Sequence, residues 1–377
     1  MEEILYAYWL SNLDGIGNKT VRTLREYAGS LEDIWNITPK ELDDASLGLT
    51  QPMKNLILTS RDESAVKRSF EDMLKTGISF YHIDHPEYPP KLKYIYDPPQ
   101  GIYVKGRLPD PGALSIAIVG ARNCSEYGKM MAAKIASALA RAGVQIISGM
   151  ARGIDGIAQE AALDAGGYTC GVLGCGVDIC YPEENRRIYD RLITSGCLIS
   201  EYHPGVPAKS GQFPLRNRII SALSDIVTVI EARERSGSLI TADQALEQGR
   251  DVYALPGRVC DALSQGCNRL IRQGAGIILS PDDLLKEIGA GFIRDDPYED
   301  TQTKKAEAVQ LSLSASCLLS DDEKRLLSVM DYTPKSVDEL CTGSGLDTAR
   351  IYGCLMQLSL KGLIAQKGSR YILTKQP

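Results

Sequence analysis

The sequence predicts an α/β protein: a doubly wound, mostly parallel sheet, with a helical segment before it and a small helix-and-strand module after it. Three observations carry this expectation. Residues 113–289 repeat a unit of apolar strand, Gly-rich turn and helix; residues 1–75 show helical spacing alone; residues 318–377 read as three helices followed by a strand. At roughly 100–200 residues per domain, a chain of 377 residues accommodates two or three such units.

In the first region Tyr6, Leu10 and Leu13 recur at helical spacing, then Val21, Leu24 and Tyr27, then Leu56, Ile57, Val66, Phe70 and Leu74. Residues 76–112 (with HPEYPPKLKYIYDPPQG) are irregular and Pro-rich, with one short extended piece at 101–105. Their many aromatics indicate a connector packed on a neighbour. The strands of the central region read IAIV (116–119), VQIIS (144–148), TCGVLG (169–174), CLISE (197–201), DIVTVIE (225–231), DVYAL (251–255) and GIIL (276–279). Such near-continuous apolar runs belong to strands buried on both faces of a parallel sheet. Helical stretches between them, such as GKMMAAKIASALARAG and TADQALEQG, end in glycine as helices often do. Residues 290–317 are polar and aperiodic and read as a linker. In 318–377 the longest helix shows Ile351, Leu355, Leu358 and Leu363 on one face, and GSRYIL closes a β-wing, so a winged helix-turn-helix is the economical reading.

Composition narrows the function. Hydrophobic residues at 44% and charged residues at 24% exclude a largely disordered chain. No apolar run approaches the ~20 residues that cross a bilayer, and MEEILYAYWL lacks the pattern of a secretory signal. Ten cysteines without a CxxC pair, scattered through apolar strands, suit a reducing cytoplasm, and three histidines (His82, His85, His203) make a multi-histidine metal centre unexpected. No metal and no cofactor is expected. A net charge of −6 excludes an all-over basic coat but permits a focused basic pocket.

That pocket belongs beyond the carboxyl ends of the strands, where open parallel sheets bind ligands. The first strand is followed by Gly120-Ala121-Arg122-Asn123-Cys124-Ser125-Glu126-Tyr127-Gly128, the second by Gly149-Met150-Ala151-Arg152-Gly153-Ile154-Asp155, the third by Gly174-Cys175-Gly176. One Gly-rich turn merely permits a tight connection. Three in succession, with Arg122 and Arg152 inside them, gather unpaired N–H donors at helix N-termini and favour phosphate binding. Neither GxGxxG nor GxxxxGK[ST] occurs, and GIGNKT at 15–20 follows a helix, so no dinucleotide or Walker-type site is supported. Arg216 and Asn217 are expected in the first turn of a helix through Ile219, Ile220 and Leu223. Cations there oppose the helix dipole, so either an anion lies nearby or they pair with Glu201 or Glu231, and both readings are open. Arg235, Ser236, Gly237, Ser238 and Thr241 form a further nest before a helix. Tyr127, Tyr181, Tyr202 and Phe213 lie at strand ends as possible base-stacking platforms; for Phe213, which a proline follows, packing under a loop is the favoured expectation.

Together, IAIVGARNCSEYG, IISGMARGIDGIAQEAAL, GVLGCGVDICYPEENRRI, LISEYHPG, FPLRNRIISALSD, VIEARERSGSLITADQAL and YALPGRVCDALSQGCNRLIRQGA resemble the DNA-processing protein A family (DprA, also called Smf) in unbroken order. The resemblance implies a Rossmann-like domain, an N-terminal helical SAM-like or helix-hairpin-helix domain and a C-terminal winged-helix domain. It implies a cytoplasmic, non-enzymatic protein that binds single-stranded DNA without strong sequence preference, protects incoming strands in natural transformation, and loads RecA recombinase. DNA contacts carried over are Arg122, the turn Gly149–Asp155, Arg216 to Arg218, and Arg235 to Thr241. It also implies a homodimer through the Rossmann-like domain, for which Asn268, Leu270, Ile271, Ile277 and Ile278, in the closing segment at the sheet edge, are the candidates. Two other classes stand beside it: a nucleotide-cleaving enzyme of the phosphoribohydrolase type, whose PGGxGTxxE signature is absent although Glu201, Glu231 and His203 remain conceivable groups, and a protein adaptor with a vestigial pocket. The GIG turn at 15–17 resembles a helix-hairpin-helix turn, with a structural role favoured over DNA contact. For the winged helix, where Thr348, Arg350 and Lys361 lie off the apolar face, duplex DNA, a protein partner and autoinhibition are all open.

Overall fold

The computed structural model describes residues 1–289, 319–331, 334–367 and 370–373, so the expected linker at 290–317 lies outside the described residues. The described residues form two compact units, 1–289 in the first and those from 319 onward in the second.

The first unit is built on a nine-stranded sheet: β1 (Ile78–His82), β2 (Gly101–Gly106), β3 (Ser115–Val119), β4 (Gln145–Ser148), β5 (Thr169–Val172), β6 (Cys197–Ser200), β7 (Ile226–Val229), β8 (Asp251–Ala254) and β9 (Gly276–Ile277), in the order β1-β2-β6-β5-β4-β3-β7-β8-β9. From β6 to β9 every pairing is parallel. The seven strands expected from apolar runs are all present. The connector holds more structure than its composition suggested: β1 and β2 pair antiparallel and extend the sheet beyond β6. In β1, Ile78, Phe80 and His82 are buried on one face while Ser79 and Tyr81 are half-exposed, a strand alternation hidden by its Pro-rich surroundings.

Alternate residues feed two cores. Ala117 and Val119 face the helices Gln212–Ala222 and Gly237–Glu247, whereas Ile116 and Ile118 face Glu126–Arg141 and Ile154–Asp164. The helix Glu126–Arg141 shows why the sequence folds this way locally. Ser125 caps it by accepting from the Gly128 N–H at 3.1 Å, and Ala132, Ile135, Ala136 and Leu139 supply the buried stripe. The crossover order makes β3 and β7 neighbours although the chain visits β4, β5 and β6 between them. This is the switch point where such sheets open a crevice.

The N-terminal helices share one core with the sheet edge. Leu5 to Leu10, Val21, Leu24, Ile34 and Ile57 pack together with Ile78 and Phe80 of β1, Tyr103 of β2 and Val177. Tyr27 and Leu74, expected on apolar faces, are instead exposed. In the second unit, helices Asp321–Val329, Val337–Ser344 and Thr348–Leu360 surround Leu326, Leu340, Ile351, Leu355 and Leu358, and a small sheet (Lys335–Ser336, Ile364–Lys367, Arg370–Leu373) forms the wing. Arg350 lies near Asp322 and Asp347, and Lys361 pairs with Glu323. The solvent side of the last helix presents Tyr352, Met356 and Leu360.

Candidate nucleic-acid interface

A cavity of about 470 Å³ lies at the β3/β7 switch point. Its lining brings together Gly120 and Arg122 after β3, Ala151 and Asp155 after β4, Arg216 and Asn217 from Gln212–Ala222, and Arg235, Ser236, Gly237, Ser238 and Thr241 after β7. Eleven of the residues singled out from sequence thus meet in one crevice.

The turns that make this possible are tightly constrained. Gly153 has φ +75°, and a Cβ there would stand 2.4 Å from the carbonyl oxygens of both Ala121 and Arg122, so only glycine lets the second turn pass under the first. Met150, fully buried, also adopts left-handed backbone (φ 56°), a costly conformation held by the Asn185 side chain donating to its carbonyl at 2.8 Å.

The three arginines of the cavity differ in depth. Arg122 and Arg235 are exposed at the rim, and neither forms an ion pair among the described residues. Arg216 lies beneath them, buried, and donates to the carbonyls of Gly149 (2.8 Å) and Val172. Burial lowers its pKa to about 10, with Asp155 opposing the shift, so the guanidinium stays charged at neutral pH. Burial raises the pKa of Asp155, while Arg216 and the amides of Ala151 and Gly149 act the other way. Three cations against this one carboxylate leave the cavity electropositive. The helix Gly237–Glu247 adds its N-terminus, where no side chain caps the first turn.

Of the four aromatics at strand ends, Tyr181 and Phe213 line the cavity, the second against the favoured expectation. Phe213 is not tucked under a loop. It lines the cavity with Tyr181, their rings 5.5 Å apart and 26° from parallel, and the Arg122 guanidinium lies 5.4 Å from the Phe213 centroid. Pro214 sits within the first turn of Gln212–Ala222, where a missing N–H costs nothing. The same early start moves Arg216 and Asn217 out of the first turn, contrary to expectation.

Other expected contacts are occupied elsewhere. Arg218 is held by Glu201 in a two-pronged pair (2.8 and 2.6 Å) and donates to the Asp97 carbonyl at 2.9 Å. Burial would lower its pKa, but Glu201 outweighs this and leaves it above the ordinary value. Pairing with Glu201 or Glu231, weighed for Arg216 and Asn217, is not made by either among the described residues; Arg218 is the residue that pairs with Glu201. Arg152 pairs with Glu184 and does not line the cavity. Ser125 gives both its N–H and its hydroxyl to buried Glu231, and Gly128 packs against the same carboxylate. Tyr127 is half-buried against the core beneath the first turn. Gly149 underlies Asp155 and Arg216, Gly174 underlies Phe213, and Gly176 donates to the Val206 carbonyl at 2.9 Å. Glu201 and Glu231, the acids an enzyme would need, are thus both engaged, and His203 lies 3.3 Å from Asp14. At the far sheet edge Leu270 and Ile278 are buried, Ile271 is partly buried and Asn268 exchanges hydrogen bonds with Gly257, so of the five dimer candidates only Ile277 is an exposed apolar side chain.

A second cavity, of about 520 Å³, lies between the GIG turn and the sheet. The turn faces protein there: Asn18 donates to Glu201 at 3.3 Å and accepts from the Gln100 N–H at 3.2 Å. Burial pushes Tyr202, on its wall, up to about 12.

Residues 79–289 match the family model for DNA recombination-mediator protein A, and residues 311–368 that for the DprA winged helix domain. The chain belongs to the DprA family. Protein Smf of Synechocystis is 33% identical over 97% of this chain and 98% of its own length. DNA processing protein DprA of Bacillus subtilis is 40% identical over 65% of the chain and 87% of its own. Among solved structures, DprA from Streptococcus pneumoniae superposes with a TM-score of 0.66 at 34% identity, covering 76% of this chain and 99% of that one. The DprA structure from Helicobacter pylori, described for its single-stranded-DNA binding mode, gives 0.51 at 30% identity, with 56% and 95% covered. Among the described residues of this DprA-family chain, no helix is long and apolar enough to cross a membrane.

Proposed function

We propose that this protein binds single-stranded DNA in the switch-point cavity without strong sequence preference. The observation that carries the reading is the pairing of two uncommitted rim arginines, Arg122 and Arg235, with the Phe213–Tyr181 stack in one crevice. Cations and helix-terminal amides suit phosphates, and the stacked rings suit bases of any identity. The single-strand binding named for the Helicobacter pylori relative supports it. As a recombination mediator, the protein protects incoming strands in natural transformation and loads RecA recombinase onto them, acting in the cytoplasm as a homodimer. Exposed Ile277 and Leu279, at and just beyond the edge strand β9, are the apolar side chains available for pairing. The test is fluorescence anisotropy with oligo-dT. Arg122→Ala raises Kd more than about fivefold, as expected for loss of a charge-assisted contact, without unfolding the domain. In the wild type, log Kobs falls with log salt at about −0.7 per contacted phosphate. Wild-type affinity in Arg122→Ala rejects the cavity as the binding site.

A further inference from the structure

The geometry points to a divalent transition-metal site formed by Glu3, His82 and Asp84, which staples the first helix to the end of β1. Glu3 opens the helix Glu3–Ser11, His82 is the last residue of β1, and Asp84 follows two residues later. One donor atom from each lies within 4.8 Å of the others.

The histidine singles this cluster out from ordinary surface acids. His82 is only 6% exposed, and its Nδ1 is buried without a hydrogen-bond partner. The nearest Asp84 carboxylate oxygen stands 3.9 Å away, beyond hydrogen-bonding range. Buried polar nitrogens are normally satisfied, so an orphan aimed at carboxylates lacks a partner.

Metal–nitrogen and metal–oxygen bonds of about 2.0–2.2 Å place ligand atoms roughly 3–3.5 Å apart. Closing to that spacing from within 4.8 Å requires movement of Glu3 and Asp84, both exposed. Arg25 pairs with the same Asp84 oxygen that lies nearest His82 Nδ1, so coordination either displaces Arg25 from it or turns the carboxylate to offer its other oxygen. One imidazole with two carboxylates and no thiolate suits Zn²⁺, Co²⁺ or Ni²⁺ better than Mg²⁺ or Cu(I). None of the three residues lines the switch-point cavity, so the bound ion is structural.

The full-length protein, stripped with a chelator, is titrated with Co²⁺ followed by visible absorbance, then with Zn²⁺ in competition, and melted with and without Zn²⁺. The expected result is one saturable ion per chain, no sulfur-to-cobalt charge-transfer band, a higher Tm with Zn²⁺, and unchanged oligo-dT affinity. Glu3→Gln alters an exposed side chain and keeps the fold, checked by circular dichroism; it weakens Co²⁺ binding at least about tenfold, as ligand-shell losses do, and His82→Asn abolishes it. Absence of saturable binding, a thiolate band, or equal affinity in Glu3→Gln overturns the site.

Discussion

The two cavities flanking the segment 206–215 are close in size and opposite in electrical character. Ala208, Ser210, Phe213 and Pro214 face the switch-point cavity, while Val206, Lys209, Gln212 and Leu215 face the one against the helical region. The first holds three arginines and a single buried aspartate. The second holds Lys209, Arg218 and His203; Asp97 and Glu201 hold Arg218, and Asp14 lies 3.3 Å from His203. Cations are thus plentiful on both sides of one wall, and what separates the arginines at the rim of the first from Arg218 in the second is whether a carboxylate reaches them. An arginine with a partner holds the protein together; an arginine without one is available to a ligand.

The sharpest way to break this contrast is Arg218→Ala. Removing one member of this largely buried pair leaves Glu201 without its main partner, so the domain loses up to about 3 kcal/mol of stability in urea unfolding. In the protein that remains folded, oligo-dT affinity stays within about twofold of wild type, because separated sites act independently. A large loss of affinity in that folded fraction would place Arg218 among the strand contacts. Next in size is Phe213→Ala, which removes one stacking platform and weakens oligo-dT binding by about 1–3 kcal/mol while leaving the salt slope unchanged. A flatter slope instead would mean that the ring acts by positioning Arg122. The smallest effect belongs to Arg152→Ala. Its pair with Glu184 is solvent-exposed, so thermal stability changes by less than about 1 kcal/mol and strand affinity is unaltered.

The layout of the central sheet is legible because the strands β3 to β7 are apolar runs buried on both faces, as IAIV and DIVTVIE show, whereas β8 and β9 at the edge are partly exposed. β1 is not legible, since its strand pattern includes a buried histidine and is followed by a Pro-rich stretch. Gly120, Arg122, Asp155 and Arg235 to Thr241 were placed at the crevice by their position after strands alone. Pairing was the illegible part. Arg152 and Glu184 are 32 residues apart and Arg218 and Glu201 are 17 apart, contacts that no periodicity encodes. Phe213 was misjudged because a proline beside an aromatic suggests a loop, whereas a proline in a helix's first turn lets the helix begin early enough to aim the ring inward. Beside the N-terminal GIG turn, the Asn18 side chain bonds to Gln100 and Glu201 of the same unit.

The depth of Arg216 has its own consequence. Mobile ions crowd around charges that touch water and mute them, but they cannot enter the close-packed floor where this guanidinium is wedged between two carbonyls. Rising ionic strength therefore silences the rim while the floor keeps its pull. The slope of the salt titration counts the phosphates contacted, while the attraction that survives in brine includes that of the buried charge.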